Sequence, residues 1–171
     1  MATVIRGDDN FDTAKSDIYE VDKWILTVDK NDATVISANL ERAGTSLGFV
    51  SLKGTGMSQS SGIFTFPSTG FWMVSASMTW AIIAGDNVGS YIDRTQDNST
   101  YSNGSAAMMW CSNKGSSMAS TGITASDVVK VSNVSLDKIR FRLASLNSGT
   151  YLEGSTSNEE TSFTFIKLGD L

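Results

Sequence analysis

The side chains able to carry chemistry in this 171-residue chain are few, and histidine is not among them. Without an imidazole, neither a Ser-His-Asp nor a Cys-His nucleophile system can be assembled. Zinc sites built on His or on paired Cys are excluded too, since Cys111 is the one cysteine. Carboxylate chemistry is what remains. Glycoside hydrolysis needs two acids held roughly 5–10 Å apart, and Asp86, Asp93, Asp97, Glu153, Glu159 and Glu160 qualify by type. Nothing in their spacing marks a pair, and acids among Ser and Asn read as solvated loop groups. Asp8-Asp9-Asn10-Phe11-Asp12 lacks the glycine and terminal glutamate of an EF-hand loop. No catalytic residue, metal ligand or cofactor is therefore assigned, and the chain reads as a non-enzyme. Trp24, Trp72, Trp80 and Trp110 could stack on sugar rings. Trp72 and Trp80 share the parity of a buried strand face and read as core, whereas Trp110 is open to either role.

Bulk composition narrows the partners. Ser, Thr, Asn and Gly make up 68 of the residues, and 13 Lys and Arg stand against 18 Asp and Glu for a net charge of −5. Phosphate neutralisation needs clustered cations, so neither nucleic acid nor an anionic membrane surface is expected as a partner. The apolar stretch Ala81-Ile82-Ile83-Ala84 is far below the roughly 18 residues that span a bilayer, so no membrane insertion is expected. Cys111, after Met108-Met109-Trp110, reads as a small buried hydrophobe. The first residues carry no apolar run of the kind a secretory signal needs, and synthesis in a cytosol is the expectation.

The elements that would position these side chains are strands. Residues 1–22 show no sustained period, carry Asp8, Asp9, Asp12, Asp17, Glu20 and Asp22, and read as an extended arm. From residue 23 onward alternation takes over. Trp24, Leu26 and Val28 share one parity, and Trp72, Val74, Ala76, Met78 and Trp80 share another beside Ser75, Ser77 and Thr79. Ile139, Phe141 and Leu143 alternate with Arg140 and Arg142. Further strands are expected at 47–53, 63–66, 88–94, 105–111, 117–123 and 127–136, and strand plus turn within 33–42. Thr95–Ser105 reads as a polar loop. The fold class is all-β, a sandwich or jelly roll. In the closing run Phe163 and Phe165 have one parity, Ile166 and Leu168 the other. A neighbouring subunit would bury the second face, although a strand covered on both faces within one chain would satisfy the same pattern.

Ser61-Gly62-Ile63-Phe64-Thr65-Phe66-Pro67-Ser68-Thr69-Gly70-Phe71-Trp72-Met73-Val74-Ser75 resembles the central signature of C1q/TNF-like domains. Gly62, Phe64, Pro67, Gly70, Trp72 and Val74 carry the likeness, and Pro67 is the chain's one proline. Val129 to Phe141 and Tyr151 to Leu168 are similar to the family's later strands, with Leu136-Asp137 standing where Gly-Asp is usual. The similarity covers about residues 45–171, and the family's collagen-like stalk is missing. It implies a jelly roll of about ten strands over residues 23–171 that forms a homotrimer. Its closing strand would lie near the three-fold axis, with Phe163, Phe165, Ile166 and Tyr151 at the interface.

Small jelly rolls of this kind also occur in bacteriophage virions, and Ala2 to Asp12 resembles the segment by which such proteins join the particle. The expectation is a virion surface protein that decorates the head or forms an appendage tip, made in the host cytoplasm. Residues 1–22 would dock to other virion proteins through Ile5, Asp8, Asp9, Asn10, Phe11 and Asp12. Loops 95–105 and 112–118 would meet a host surface glycan. A soluble, non-viral C1q/TNF-like ligand or lectin is the alternative.

Overall fold

The computed structural model describes residues 20–44, 51–82, 86–110, 119–144 and 146–171. The longest alternating run of the sequence forms strand β6 (Gly70–Ile82). Its even-numbered residues Trp72, Val74, Ala76, Met78, Trp80 and Ile82 are all fully buried, because successive side chains of a pleated strand leave on opposite faces. β9 (Ala119–Val131) pairs with β6 along its whole length. On the other side of β6, β12 (Ser162–Gly169) takes Phe71–Ser77 and β11 (Tyr151–Leu152) takes Trp80 and Ala81. β1 (Val21–Leu26) lies beyond β12 and carries β2 (Leu40–Arg42) and β3 (Leu52–Lys53) on its far edge. These seven strands form the larger sheet.

The smaller sheet has five strands, β4 (Ser58–Ser60), β5 (Ile63–Thr65), β10 (Lys138–Ala144), β7 (Asn87–Thr95) and β8 (Ser102–Trp110), in that spatial order. Every pair in both sheets is antiparallel. The described residues contain no helix.

The motif residues sit at the crossing between the sheets. Phe64 of β5 is fully buried and meets Trp24 edge-on at 5.5 Å, Phe141 at 5.5 Å and Phe165 at 5.1 Å between ring centroids. Pro67 lies in the turn from β5 to β6, where Trp72 Nε1 donates to the Ser68 carbonyl at 3.3 Å. Gly62 has φ +77°, and a Cβ there would stand 2.0 Å from the Ile36 carbonyl oxygen. Gly70 has φ +138°, and its Cβ would stand 2.4 Å from the Gly169 carbonyl oxygen. Both positions need glycine for conformation and for space.

Phe163 and Phe165 correct one expectation. Both are fully buried inside the single chain, Phe163 stacked on Phe141 at 4.2 Å. Their parity on β12 is the inner one, so neither can form an interface between subunits. Other boundaries shift as well. Twelve strands lie among the described residues, where about ten were expected of the whole jelly roll. The runs at 117–123 and 127–136 meet in one strand, because pairing with β6 carries β9 through Gly122 and Thr124. Ser102 to Ser105 belong to β8, so the loop expected over 95–105 shrinks to 96–101. Val28, placed with the core parity of Trp24 and Leu26, lies past the end of β1 and is exposed.

Val21 and Asp22 belong to β1 rather than to an arm. Asp22 is buried and accepts hydrogen bonds from Trp24 Nε1 (2.9 Å), Met57 N (2.6 Å), Arg42 Nε (3.0 Å) and Arg42 Nη2 (3.2 Å). A buried carboxylate satisfied this fully ties β1 to β2 and to the start of β4. The docking residues Ile5, Asp8, Asp9, Asn10, Phe11 and Asp12, together with Cys111 and loop 112–118, lie outside the described residues.

Removing one ring from the aromatic column leaves a cavity that close-packed sheets cannot refill. Phe141→Ala is expected to cost about 3–5 kcal/mol and to lower the melting midpoint by roughly 10 °C. Thermal denaturation followed by circular dichroism checks this, and a shift within error would contradict the placement of Phe141 at the core.

Candidate functional site

Because β12 turns Phe163 and Phe165 inward, Thr164, Ile166 and Leu168 face out from the larger sheet. Register extends that face across four strands. Val21 of β1, Ile166 of β12, Met73 of β6 and Val128 of β9 stand directly opposite one another in one row. Val128 is 56% exposed, Leu168 54% and Phe71 41%. One row further along, Lys23, Thr164, Ser75 and Ser126 align, and Ser126 Oγ donates to Ser75 Oγ at 3.1 Å. The outer face therefore gathers its apolar side chains at the start of β6, with Lys130 opposite Phe71 and Lys53 opposite Val21 at the margins, and carries hydroxyls over the remainder. Contiguous apolar patches on a surface mark contacts with proteins, membranes or ligands.

Ile166, one of the residues expected at a subunit interface, is half-buried in the apolar row. Tyr151 has the same outward parity but pairs with Ala81. That position is eight residues along β6 from Met73, about 26 Å away, so the two do not share a contact. Phe71, Met73, Val21 and Val128 were not singled out from the sequence. The signal was present on the odd positions of β6, which run Phe71, Met73, Ser75, Ser77, Thr79.

The acids considered for catalysis take separate positions. Asp86 is buried and accepts from the amides of Asn87 (2.8 Å) and Asn147 (2.9 Å). Asp93 is held by two arginines, Glu159 pairs with Lys23, and Glu153 accepts from Ser120 Oγ at 2.9 Å. The Glu160 carbonyl accepts from Thr79 Oγ1. Asp137, in the turn that departs from the C1q/TNF-like pattern, is buried and accepts from the amides of Ser132 (2.6 Å) and Asn133 (2.8 Å). Beside it, burial pushes the Lys138 ammonium down from its ordinary range, Asp137 opposes that shift, and Lys138 Nζ donates to the Val134 carbonyl. Among the described residues no three His, Cys, Asp or Glu side chains are placed to hold a metal ion.

Loop 96–101 is organised by Asp97. Its Oδ1 accepts from Thr95 Oγ1 (2.7 Å) and from the amides of Thr100 (2.7 Å) and Ser99 (2.9 Å). These bonds favour the ionised form and hold the carboxyl well below the usual carboxylate range, the Thr95 hydroxyl contributing most. The same loop borders an open hollow of about 300 Å³ lined by Arg94, Thr95, Gln96, Asp97, Thr100 and Ser102. A depressed pKa stabilises the loop above the unfolded value, and that contribution is lost only as pH falls through the lowered one. Protection of the Ser99 and Thr100 amides should persist at about pH 4 and fall in stronger acid, whereas Asp97→Ala should remove it at neutral pH. Amide exchange measured by NMR decides, and equal exchange in the variant would remove Asp97 from this role.

Neither a protein-family model nor a curated protein sequence matches the chain. Solved structures do. Eiger TNF from S. frugiperda aligns with a TM-score of 0.65 at 11% identity, over 88% of this chain and 93% of that one. Murine APRIL at pH 5.0 aligns with a TM-score of 0.63 at 13% identity, over 86% and 98% of the two chains. Murine APRIL at pH 8.5 gives 0.59 at 15% identity with the same coverage. At such identities the likeness speaks of architecture alone: two antiparallel sheets, closed by a C-terminal strand between β1 and β6, make this chain a TNF-like jelly roll.

Proposed function

We propose that the chain is a homotrimeric, non-enzymatic surface component of a bacteriophage virion, decorating the head or forming an appendage tip. The observation that carries self-association is the row Val21, Ile166, Met73 and Val128, flanked by exposed Phe71 and Leu168 on the outer face of the larger sheet. The C1q/TNF-like resemblance supplies the three-fold arrangement, in which this face of each copy meets the others about one axis. The virion role rests on the likeness of Ala2 to Asp12 to phage particle-joining segments. Residues 1–19 would contact other virion proteins, and the protein would be made in the host cytoplasm. Loops at the sandwich end, 96–101 among them, would meet a host glycan, with avidity raised by three-fold repetition. The likeness to APRIL and Eiger TNF favours one second reading, a soluble non-viral binding module of the same fold.

Light scattering on the purified chain should return about 55 kDa, three times 18.3 kDa. Val128→Asp puts a carboxylate into the apolar contact, and burying it there costs about 2 kcal/mol or more per copy. A folded species near one third of that mass is expected. A wild-type monomer, or a Val128→Asp trimer, would overturn the association surface. Deleting residues 1–19 should leave the trimer intact and abolish its incorporation into particles. Normal incorporation would remove the docking role and favour the soluble module.

A further inference from the structure

The outer face of the smaller sheet is built on a buried charge. Register places Tyr91 of β7 between Arg142 of β10 and Ala106 of β8, and Asp93 between Arg140 and Asn103. Asp93 is 2% exposed. Its Oδ2 accepts from Arg142 Nε at 2.9 Å and from Arg140 Nε at 3.3 Å, and its Oδ1 accepts from Arg142 Nη2 at 3.3 Å. Arg142 Nη2 also donates to Asn103 Oδ1 at 2.8 Å. Each guanidinium lies over a ring, Arg142 at 4.3 Å from the Tyr91 centroid and Arg140 at 3.9 Å from that of Tyr101. One carboxylate thus orders two cations and leaves the pair with a net positive charge. Among the described residues, both Nη groups of Arg140 and Nη1 of Arg142 make no hydrogen bond.

The same face continues along β8. Trp110 is 64% exposed and Met108 56%, and the Tyr91 hydroxyl reaches Met108 Sδ at 3.6 Å. Trp110 stands opposite Asn87 across β7. With Met108, Met109 and Asn87 it borders a shallow, open hollow of about 270 Å³. Trp110 is four residues along β8 from Ala106, in the register row of Arg142, about 13 Å away. An exposed indole beside an amide offers a flat apolar platform with a hydroxyl partner, which suits the C–H face and hydroxyls of a sugar ring. Guanidinium groups already fixed by stacking and by Asp93 suit a carboxylate or sulfate and lose little freedom on binding one.

We propose that this face binds an acidic oligosaccharide, its charged group on the Arg140–Arg142 pair and a sugar ring further along the same chain on Trp110. The site deepens the glycan-contacting role given above and moves it from the loops to a sheet face. It turns away from the association surface, so three copies would present it together.

The test is calorimetric titration of the full chain at low salt with a heparin-derived hexasaccharide, a galacturonic acid hexamer, maltohexaose and a hexaglutamate peptide. One of the two acidic sugars should bind, with maltohexaose and hexaglutamate much weaker. Trp110→Ala and Arg140→Gln should each weaken that binding about tenfold, with melting midpoints near wild type because Arg142 still holds Asp93. Lys53→Gln, on the other sheet, should change nothing. Failure of both acidic sugars to bind, equal binding of maltohexaose, or equal loss in Lys53→Gln would overturn the proposal. So would tight hexaglutamate binding insensitive to Trp110→Ala, which would make the face a peptide site. A monomer that binds the sugar would remove the trimer and keep this site. A trimer that ignores it would do the reverse.

Discussion

The contact between Phe141 and Phe163, ring on ring at 4.2 Å, decides which way the closing strand faces. Phe64 and Phe165 pack beside them, Phe64 touching Phe165 at 5.1 Å and Phe141 at 5.5 Å. The four rings come from β5, β10 and β12, so the column bridges the two sheets at their crossing. A strand's side-chain period is two, and slipping β12 by one residue would turn both phenylalanines to solvent. Their burial therefore fixes the register of β12 on β1 and β6 together. The outer face follows without further choice: Thr164, Ile166 and Leu168 must point away from the core.

Packing the inner faces with aromatics leaves two outer faces, and the chain finishes them by different means. The larger sheet presents apolar side chains at one end and hydroxyls over the rest. On the smaller sheet, Asp93 holds Arg140 and Arg142 over the rings of Tyr101 and Tyr91, and that face is held by charge. Asp22 plays a comparable part at the edge of the larger sheet, where Arg42 reaches it and also lies over Trp24 at 4.8 Å. Asp93 is matched by two guanidinium groups, and Asp22 by one guanidinium together with the Trp24 indole and the Met57 amide. Burying a carboxylate without such partners would be strongly unfavourable. Neither clamp is local, since Asp93 reaches arginines 47 and 49 residues away.

That distance in sequence explains what could be read beforehand. The even positions of β6 and the alternation of β10 were legible because burial on one face leaves its mark within a few residues. So was the motif from Gly62 to Val74, whose glycines answer to local φ and local crowding. The division of the closing run into two apolar faces was legible as well, but parity alone does not say which face is inner. Phe163 and Phe165 were assigned to an interface for want of their partner Phe141, twenty-two residues upstream. β9 looked like two strands because Gly122 and Ser126 suit turns in isolation; pairing with β6 overrides that preference. The arginine clamp left no trace beyond the alternation of Arg140 and Arg142, which a wet strand face would also show.

The gradient along the outer face of the larger sheet constrains how copies could meet there. Phe71, Met73, Val128, Ile166 and Leu168 lie near Gly70, where the backbones of β6 and β12 approach so closely that no Cβ fits. At that end large side chains stand on a rigid platform. Toward Tyr151 the face carries Ser75, Ser77, Thr79, Thr124 and Ser126, small side chains whose hydroxyls can keep water. A contact built on this face would be dry and tight at one end and wet at the other, which is the division between core and rim in protein interfaces. Such a taper sets the direction in which copies can align, because reversing one copy would oppose its apolar end to another's hydroxyls. Faces that overlap along their whole length match when the copies run parallel, whereas a full-length antiparallel overlap would set apolar ends on hydroxyls.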